Sequence, residues 1–324
     1  MHERDPTIGF IGIGILGKGL AMSLAAQHYR VIAAHSRSLT SAQWLAQRLP
    51  GCRAFTTAQE LADATDLVFI TTTDSAIGQV AAAISWRPGQ GVVHCCGAAS
   101  LEVLKPAAAQ GAVTGAFHPF QTFAGLTDPG DTLSRLAGVT FAVEGQGWLS
   151  SFLSDLARAL GGQPVFIPHQ QRPLYHAAGV LGCGYLVTLL QAAVNAWQSM
   201  GFSPQQAMDA LYPLARTTLE NAAKEGIPAT VTGPVVRGDA ATVQAHLEAL
   251  SQSLPELVPL YCALTEASLP LAAGRGVGPA QMAALHKLLE SASGGRPTGI
   301  HNPRPGLPEG AIPQPDARHG GSPS

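Results

Sequence analysis

From its amino end the chain alternates short apolar runs with longer stretches of helical periodicity. The runs at residues 7–13, 31–34, 67–71, 91–95, 113–117, 138–143 and 164–167 are apolar or β-branched and bounded by turn residues, which predicts seven strands. Between them, residues 17–27, 40–48, 75–84, 101–110 and 148–160 read as helices. Strand–helix alternation of this kind specifies an α/β fold, a doubly wound and mainly parallel sheet with helices on both faces. The pattern changes at Pro168, and residues 174–200, 204–225, 239–252, 255–272 and 279–289 predict an all-α second domain. Ser203-Pro204 and Gly278-Pro279 read as helix starts, because Pro suits the first helical position. The stretch after Arg172 is almost wholly apolar, so that helix is expected to be buried on all sides, between domains or at a dimer interface. Domains are expected at 1–168 and 169–293, followed at 294–324 by a Pro/Gly-rich tail too poor in apolar residues to order.

Composition narrows the classes. Only 12% of the 324 residues are charged and the formal net charge is −2, which argues against a nucleic-acid or anionic-membrane binder. Five cysteines, odd in number and scattered, do not form a disulfide framework, so a cytoplasmic protein is expected. The apolar stretches 8–34 and 177–197 are interrupted by polar residues and glycines, so no membrane span or signal segment is expected.

The strongest local signal is Gly12-Ile13-Gly14-Ile15-Leu16-Gly17, a G-x-G-x-x-G loop directly after a strand and opening a helix. The first glycine permits the tight turn, the second lets backbone approach a pyrophosphate, and the third allows close helix–strand packing. The amides around Ile15 and Leu16 open the helix and favour an anion. This predicts a Rossmann-type dinucleotide site, with an all-α domain after it. An NAD site calls for an acidic residue about 20 positions on, yet there is none between Asp5 and Glu60. The segment instead carries Lys18, Arg30, Arg37, Arg48 and Arg53, a formal charge of +5. Arg37, flanked by Ser36 and Ser38, can pair with a 2′-phosphate, which favours NADP(H). Thr72 and Thr73 after the third clear strand, and Cys96 and Gly97 after the next, should line the same crevice. Asp74 reads as the cap of the following helix. A metal site pooling His94, Cys95, Cys96 and His118 fails on spacing, since adjacent residues of an extended chain face opposite ways.

Four residues are candidates for the chemistry. His118, held by Pro119 at a strand end, suits a proton donor or a group that orients a carbonyl. Tyr175 and His176 sit side by side on the apolar helix, where each needs a partner. Arg237 lies in a turn with Asp239, which can cap the next helix. In a chain so poor in charge, Arg237 is a candidate for a substrate carboxylate or a buried pair.

From about Thr7 to Leu250 the chain resembles a family that joins an N-terminal Rossmann-like domain to a helical domain of unknown function 2520. The resemblance rests on His94-Cys95-Cys96-Gly97-Ala98, on Gly115-Ala116-Phe117-His118-Pro119-Phe120-Gln121-Thr122-Phe123, and on a third pair of segments. These are Leu174-Tyr175-His176-Ala177-Ala178 and Thr232-Gly233-Pro234-Val235-Val236-Arg237-Gly238-Asp239, followed by Thr242-Val243 and His246-Leu247. The family looks like a branch of the 6-phosphogluconate dehydrogenase-like and pyrroline-carboxylate reductase-like reductases, whose helical domain often forms the dimer. The resemblance implies an NADP-linked oxidoreductase that reduces a C=O or C=N of a small, acidic metabolite, as a homodimer through the helical domain. Two departures stand out. Cys95 and Cys96 replace expected serines, and Gly184 replaces an amide in Val180-Leu181-Gly182-Cys183-Gly184-Tyr185. They keep open a non-catalytic NADP(H)-binding sensor or scaffold, and a deazaflavin-linked NADP reductase is a third reading.

Overall fold

A computed structural model describes residues 5–125 and 131–292, so the expected tail at 294–324 lies outside the described residues. The chain divides into two compact units, the first ending at Val187 and the second starting at Thr188. In the first, strands and helices alternate as β1 (Ile8–Ile11), α1 (Ile15–Ala26), β2 (Val31–His35), α2 (Leu39–Ala46), β3 (Arg53–Ala54), α3 (Ala58–Ala64), β4 (Leu67–Ile70), α4 (Asp74–Ala83), β5 (Gly91–His94), α5 (Lys105–Ala108), β6 (Val113–Pro119), α6 (Thr132–Leu136), β7 (Thr140–Gly145), α7 (Leu149–Ala159) and β8 (Gln163–Phe166). The helix α8 (Arg172–Gly182) follows and packs with this unit.

The eight strands form one sheet in the order β3-β2-β1-β4-β5-β6-β7-β8. Every pairing is parallel except β6 with β7. The two-residue β3 and the helices α3 and α6 lie outside the predicted elements, because they are too short to show a period. Each sheet face carries its own core. On one, Phe10 stacks on Phe69 at 5.1 Å, and Phe117 meets Phe69 at 6.0 Å and Phe141 at 4.8 Å. Leu20, Leu24, Leu153 and Leu156 of α1 and α7 join that cluster. On the other face Ile11, Val68, Ile70 and Val92 meet Leu61, Ile77 and Leu104. Burying both faces gives β1 and β4 their unbroken apolar text, and β5 is apolar up to His94.

The long apolar helix departs from expectation in two ways. It is broken at Cys183 (φ −126°, ψ −78°) into α8 and α9 (Gly184–Ser199), because Gly182 and Gly184 flank that residue and glycine weakens a helix. Nor is it buried on all sides. Only Arg172 of α8 and Val194 of α9 are buried, while Leu174, Leu181, Tyr185 and Val187 are exposed. By length and composition alone the stretches His169–Ser199 and Pro255–Gly274 could cross a membrane, at mean hydropathy 1.7 and 1.3. The first, however, holds Arg172 in an ion pair with the sheet.

The second unit continues with α10 (Pro204–Glu225), α11 (Ile227–Thr230), α12 (Ala240–Ser253), α13 (Val258–Gly274) and α14 (Pro279–Ala292). Ser203 and Gln206 close a capping box on α10. Asp239 caps α12 as its sequence position suggests, accepting from the Thr242 amide at 3.1 Å and its hydroxyl at 2.6 Å. Val243, Leu247, Cys262, Leu269, Leu285 and Leu289 form the core of this unit.

Candidate functional site

Three features of the first unit come from the carboxyl ends of β1, β2, β4, β5 and β6, where open parallel sheets bind ligands. The glycine loop is the first. Gly12 adopts φ +101°, and a Cβ there would sit 2.7 Å from the backbone of Thr71 and Thr72. A Cβ at Gly17 would run into the Gly12 carbonyl. Gly14 differs: its backbone is extended and a Cβ would meet nothing within 4 Å. Folding of this chain therefore requires glycine at 12 and 17 but not at 14, where the free space suits a ligand pressed against the backbone. Gly14 caps α1 without a side-chain bond and the first turn holds no acidic residue, so the amides at Ile15 and Leu16 remain available to a pyrophosphate. The residues fit a dinucleotide.

The loop after β2 is the second feature. Its neighbouring cations are engaged: Lys18 and Arg48 lie over Trp44 at 4.6 and 3.9 Å, Arg53 over Phe55 at 5.2 Å, and Arg30 pairs with Asp5 at 3.8 Å. Arg37 is exposed and has no ion pair, hydrogen bond or ring contact among the described residues. Ser36 is half-buried and Ser38 starts α2 without a side-chain cap bond. Thr72 is half-buried and Thr73 exposed. Thr73, not Asp74, is the N-cap residue of α4, because Asp74 already has helical geometry. Burial, with the Asp74 carboxylate adding to it against the Ala99 amide, raises the Cys96 thiol above its ordinary value. Cys95 and Cys96 point into the cores on opposite sheet faces. Among the described residues no group of three or more His, Cys, Asp or Glu is placed to hold a metal ion.

The third feature joins β6 to α8. The Tyr175 hydroxyl and His118 Nδ1 share a hydrogen bond of 2.8 Å, in which either can donate. Phe120 stacks on Tyr175 at 4.8 Å, and a Cβ at Gly97 would lie 2.8 Å from the His118 ring and 3.0 Å from that of His176. Burial, then the charges of His176 and Arg172, push His118 down to about 4 against the opposing pull of Asp74. Its ring is neutral at physiological pH. Burial raises Tyr175 to about 12, with Arg172 opposing. A neutral imidazole behind a phenol can pass a proton outward: Nδ1–H donates to the Tyr175 oxygen, whose own proton is then directed to an acceptor beyond. Three of the four candidate chemical residues thus meet. Arg237 belongs to the second unit, exposed on a short turn next to Asp239, whose acidity is increased first by the Thr242 bonds and then by Arg237.

Arg172 was not anticipated from sequence. It is the first residue of α8, fully buried, and its Nε donates to Glu144 of β7 at 3.2 Å. Nothing in the text around it signalled burial except its place three and four residues before Tyr175 and His176, which puts all three on one helix face. A separate hollow of about 360 Å³ at the opposite edge of the sheet is lined by Asp66, Arg87 and Trp148. Its arginine is already satisfied by the carbonyls of Ala62, Asp63 and Thr65.

Comparison with known families and structures agrees with this architecture. The sequence matches a Rossmann-like domain over residues 2–119 and a domain of unknown function, DUF2520, over residues 139–268. No curated protein matches it. Among solved structures, a Bacteroides fragilis protein assigned as an NADP oxidoreductase, BF3122, is 24% identical, with 82% of this chain and 98% of that one covered at a TM-score of 0.68. A reductive aminase from Aspergillus terreus in complex with NADPH and ethyl-5-oxohexanoate is 16% identical, covering 90% of this chain and 94% of that one at 0.57. A 1-pyrroline-5-carboxylate reductase from Streptococcus pyogenes is 16% identical, covering 89% and 98% at 0.52. At these identities the likeness establishes the fold.

Proposed function

We propose that this chain, a Rossmann-like domain followed by a DUF2520 domain, is an NADP(H)-dependent reductase of a small carbonyl or imine compound. The observation that carries the reading is the 2.8 Å pair of Tyr175 and His118 at the carboxyl edge of the sheet that also carries the open glycine loop. When bound, NADPH supplies the hydride. Gly14 and the first amides of α1 hold its pyrophosphate, Arg37 with Ser36 and Ser38 takes the 2′-phosphate, and Thr72, Thr73, Cys96 and Gly97 border the crevice. Tyr175 gives a proton to the oxygen or nitrogen of the bond being reduced, and His118 returns its Nδ1 proton to the phenolate as Nε2 takes one up from solvent, so the ring ends neutral. Burial above all keeps the His118 ring neutral, and His176 packs beside it. The redox names of the structural neighbours support this choice among the functions a Rossmann fold can host.

The exposed apolar residues of α8 and α9 support a homodimer through the helical domain, as does an apolar groove of about 410 Å³ between α9, α12 and α13 that includes Leu189, Ala193, Leu250 and Leu264. Five free thiols suit a reducing, cytoplasmic setting.

The test is a fluorescence titration with NADPH and NADH. NADPH is expected to bind more tightly, and Arg37→Ala to lose roughly 10- to 100-fold of that preference, as for a charged hydrogen bond. Tyr175→Phe should then retain NADPH binding and lose about 10²- to 10⁴-fold in kcat with oxo acids or imines. Tight NADPH binding with no substrate-dependent oxidation across such a screen would favour the sensor reading. No binding of either nucleotide would overturn both.

A further inference from the structure

Arg172 breaks two rules at once. A cation is unfavourable at the amino end of a helix, where the dipole is already positive. A fully buried guanidinium also requires its donors to be paired. Only Nε is paired here; Nη1 and Nη2 are both buried and have no hydrogen-bond partner among the described residues. The register locates this unpaired edge. Glu144 lies opposite Ala116 on β6, and Ala116 opposite His94 on β5, so the three form one cross-strand row with side chains on a single face. His118 lies on that same face, two residues along β6 from Ala116. Arg172 is anchored at the Glu144 end of the row, with the small Ala116 between it and His94.

At the far end stands His94, fully buried. The Cys96 amide donates to its Nδ1 at 3.2 Å, so the proton of the neutral ring is on Nε2. That nitrogen has no partner in hydrogen-bonding geometry, although the nearby Ser100 carbonyl lies close enough to oppose part of the downward push on this ring. The unpaired groups at both ends of the row are therefore donors: two Nη groups and one Nε2–H.

We propose that Arg172 and His94 form an anion subsite that takes the carboxylate of the substrate. A carboxylate offers about four acceptor positions and no donor, and it matches a guanidinium edge with two parallel bonds. Since Arg172 lies one helical turn from Tyr175, a carboxylate on its Nη edge brings the adjoining carbon towards the Tyr175 proton. The substrate is then a 2-oxo or 2-imino acid, an assignment that rests on the reductase reading above. Access is through the segment that carries Arg172. Residues 169–171, 173 and 174 are all exposed, so Arg172 is the single buried pin of a surface strap.

The test uses oxamate, which has the shape of a 2-oxo acid but is not reduced. Calorimetric titration into the NADPH-loaded protein is expected to show binding that falls about 10- to 100-fold in Arg172→Met and less in Arg172→Lys, with NADPH affinity unchanged. Glu144→Gln keeps Arg172 and removes the carboxylate that competes for its charge, so it should tighten oxamate severalfold even if Arg172→Met fails to fold. Oxamate binding that is absent in the NADPH-loaded protein, or equal in all these variants, overturns the subsite. If NADPH itself does not bind, the reductase reading fails separately. Formate is then titrated into the free protein while the His94 and His118 ring signals are followed by NMR: shifts that Glu144→Gln strengthens support the subsite, and their absence overturns it.

Discussion

The three glycines of the loop differ in what they do, and substitution should separate them. Gly12→Ala forces a side chain into a left-handed conformation against the Thr71–Thr72 backbone, so it is expected to lower stability by about 1–3 kcal/mol in urea unfolding. Gly14→Ala meets no atom of the chain, so the fold should keep its stability while NADPH affinity drops at least about tenfold, as expected where a ligand needs close backbone approach. The buried imidazoles give a pH signature. Burial is the first cause in both His94, pushed down to about 3, and His118, pushed down to about 4. Unfolded, each returns to its ordinary value near 6.5, so below that pH the unfolded chain binds more protons than the native one. Their contribution is fully present above about pH 6.5 and is lost as pH falls towards 4 for His118 and towards 3 for His94. Urea midpoints should decline through this window, and His118→Asn should flatten the decline. The glycine spacing, Arg37, His118 and the Tyr175–His176 pair were legible because each departs from its local background. Arg172 was not, since exposure of its neighbours gives no sign that this one side chain turns inward.

At the scale of elements, caps and breakers explain where local reading succeeded. Ser203 with Gln206, and Pro204 at the first helical position, define the start of α10 from sequence alone. Ser203→Ala is expected to cost the second unit about 1 kcal/mol, read as a lower urea midpoint, with Ser203→Asp close to the parent. Where the chain had two signals in competition, reading failed. The apolar run after Arg172 looks continuous, but glycines on both sides of Cys183 split it, and α8 goes with the sheet. After β4 the Thr-rich end offers several caps in succession, and the helix starts after Thr73, which makes no side-chain cap bond. Asp74 falls in the first turn of α4 instead.

For the molecule as a whole, the exposed stripe of Leu181, Tyr185 and Val187 is the feature that a single chain does not account for. If a second copy covers it, Leu181→Glu with Val187→Asp should shift the light-scattering mass from dimer to monomer while leaving the far-ultraviolet helix signal intact. A parent protein that is already monomeric at micromolar concentration would sink the dimer. Exposed aliphatic residues on this scale are otherwise an aggregation liability, which gives the prediction a second readout in the solubility of the variant.

Periodicity and turn chemistry determined the order of strands and helices, the change to helix after Pro168, and the glycine loop with its unmatched cation, because those are properties of neighbours in the chain. They could not determine which strand lies beside which. The row Glu144–Ala116–His94 joins residues 22 and 28 positions apart through an antiparallel step from β6 to β7, and only sheet pairing creates it. The 2.8 Å bond between His118 and Tyr175 likewise spans 57 residues. Pairing, burial and the charge of one enclosed arginine set the proton chemistry of this site, and those are decided when distant segments pack.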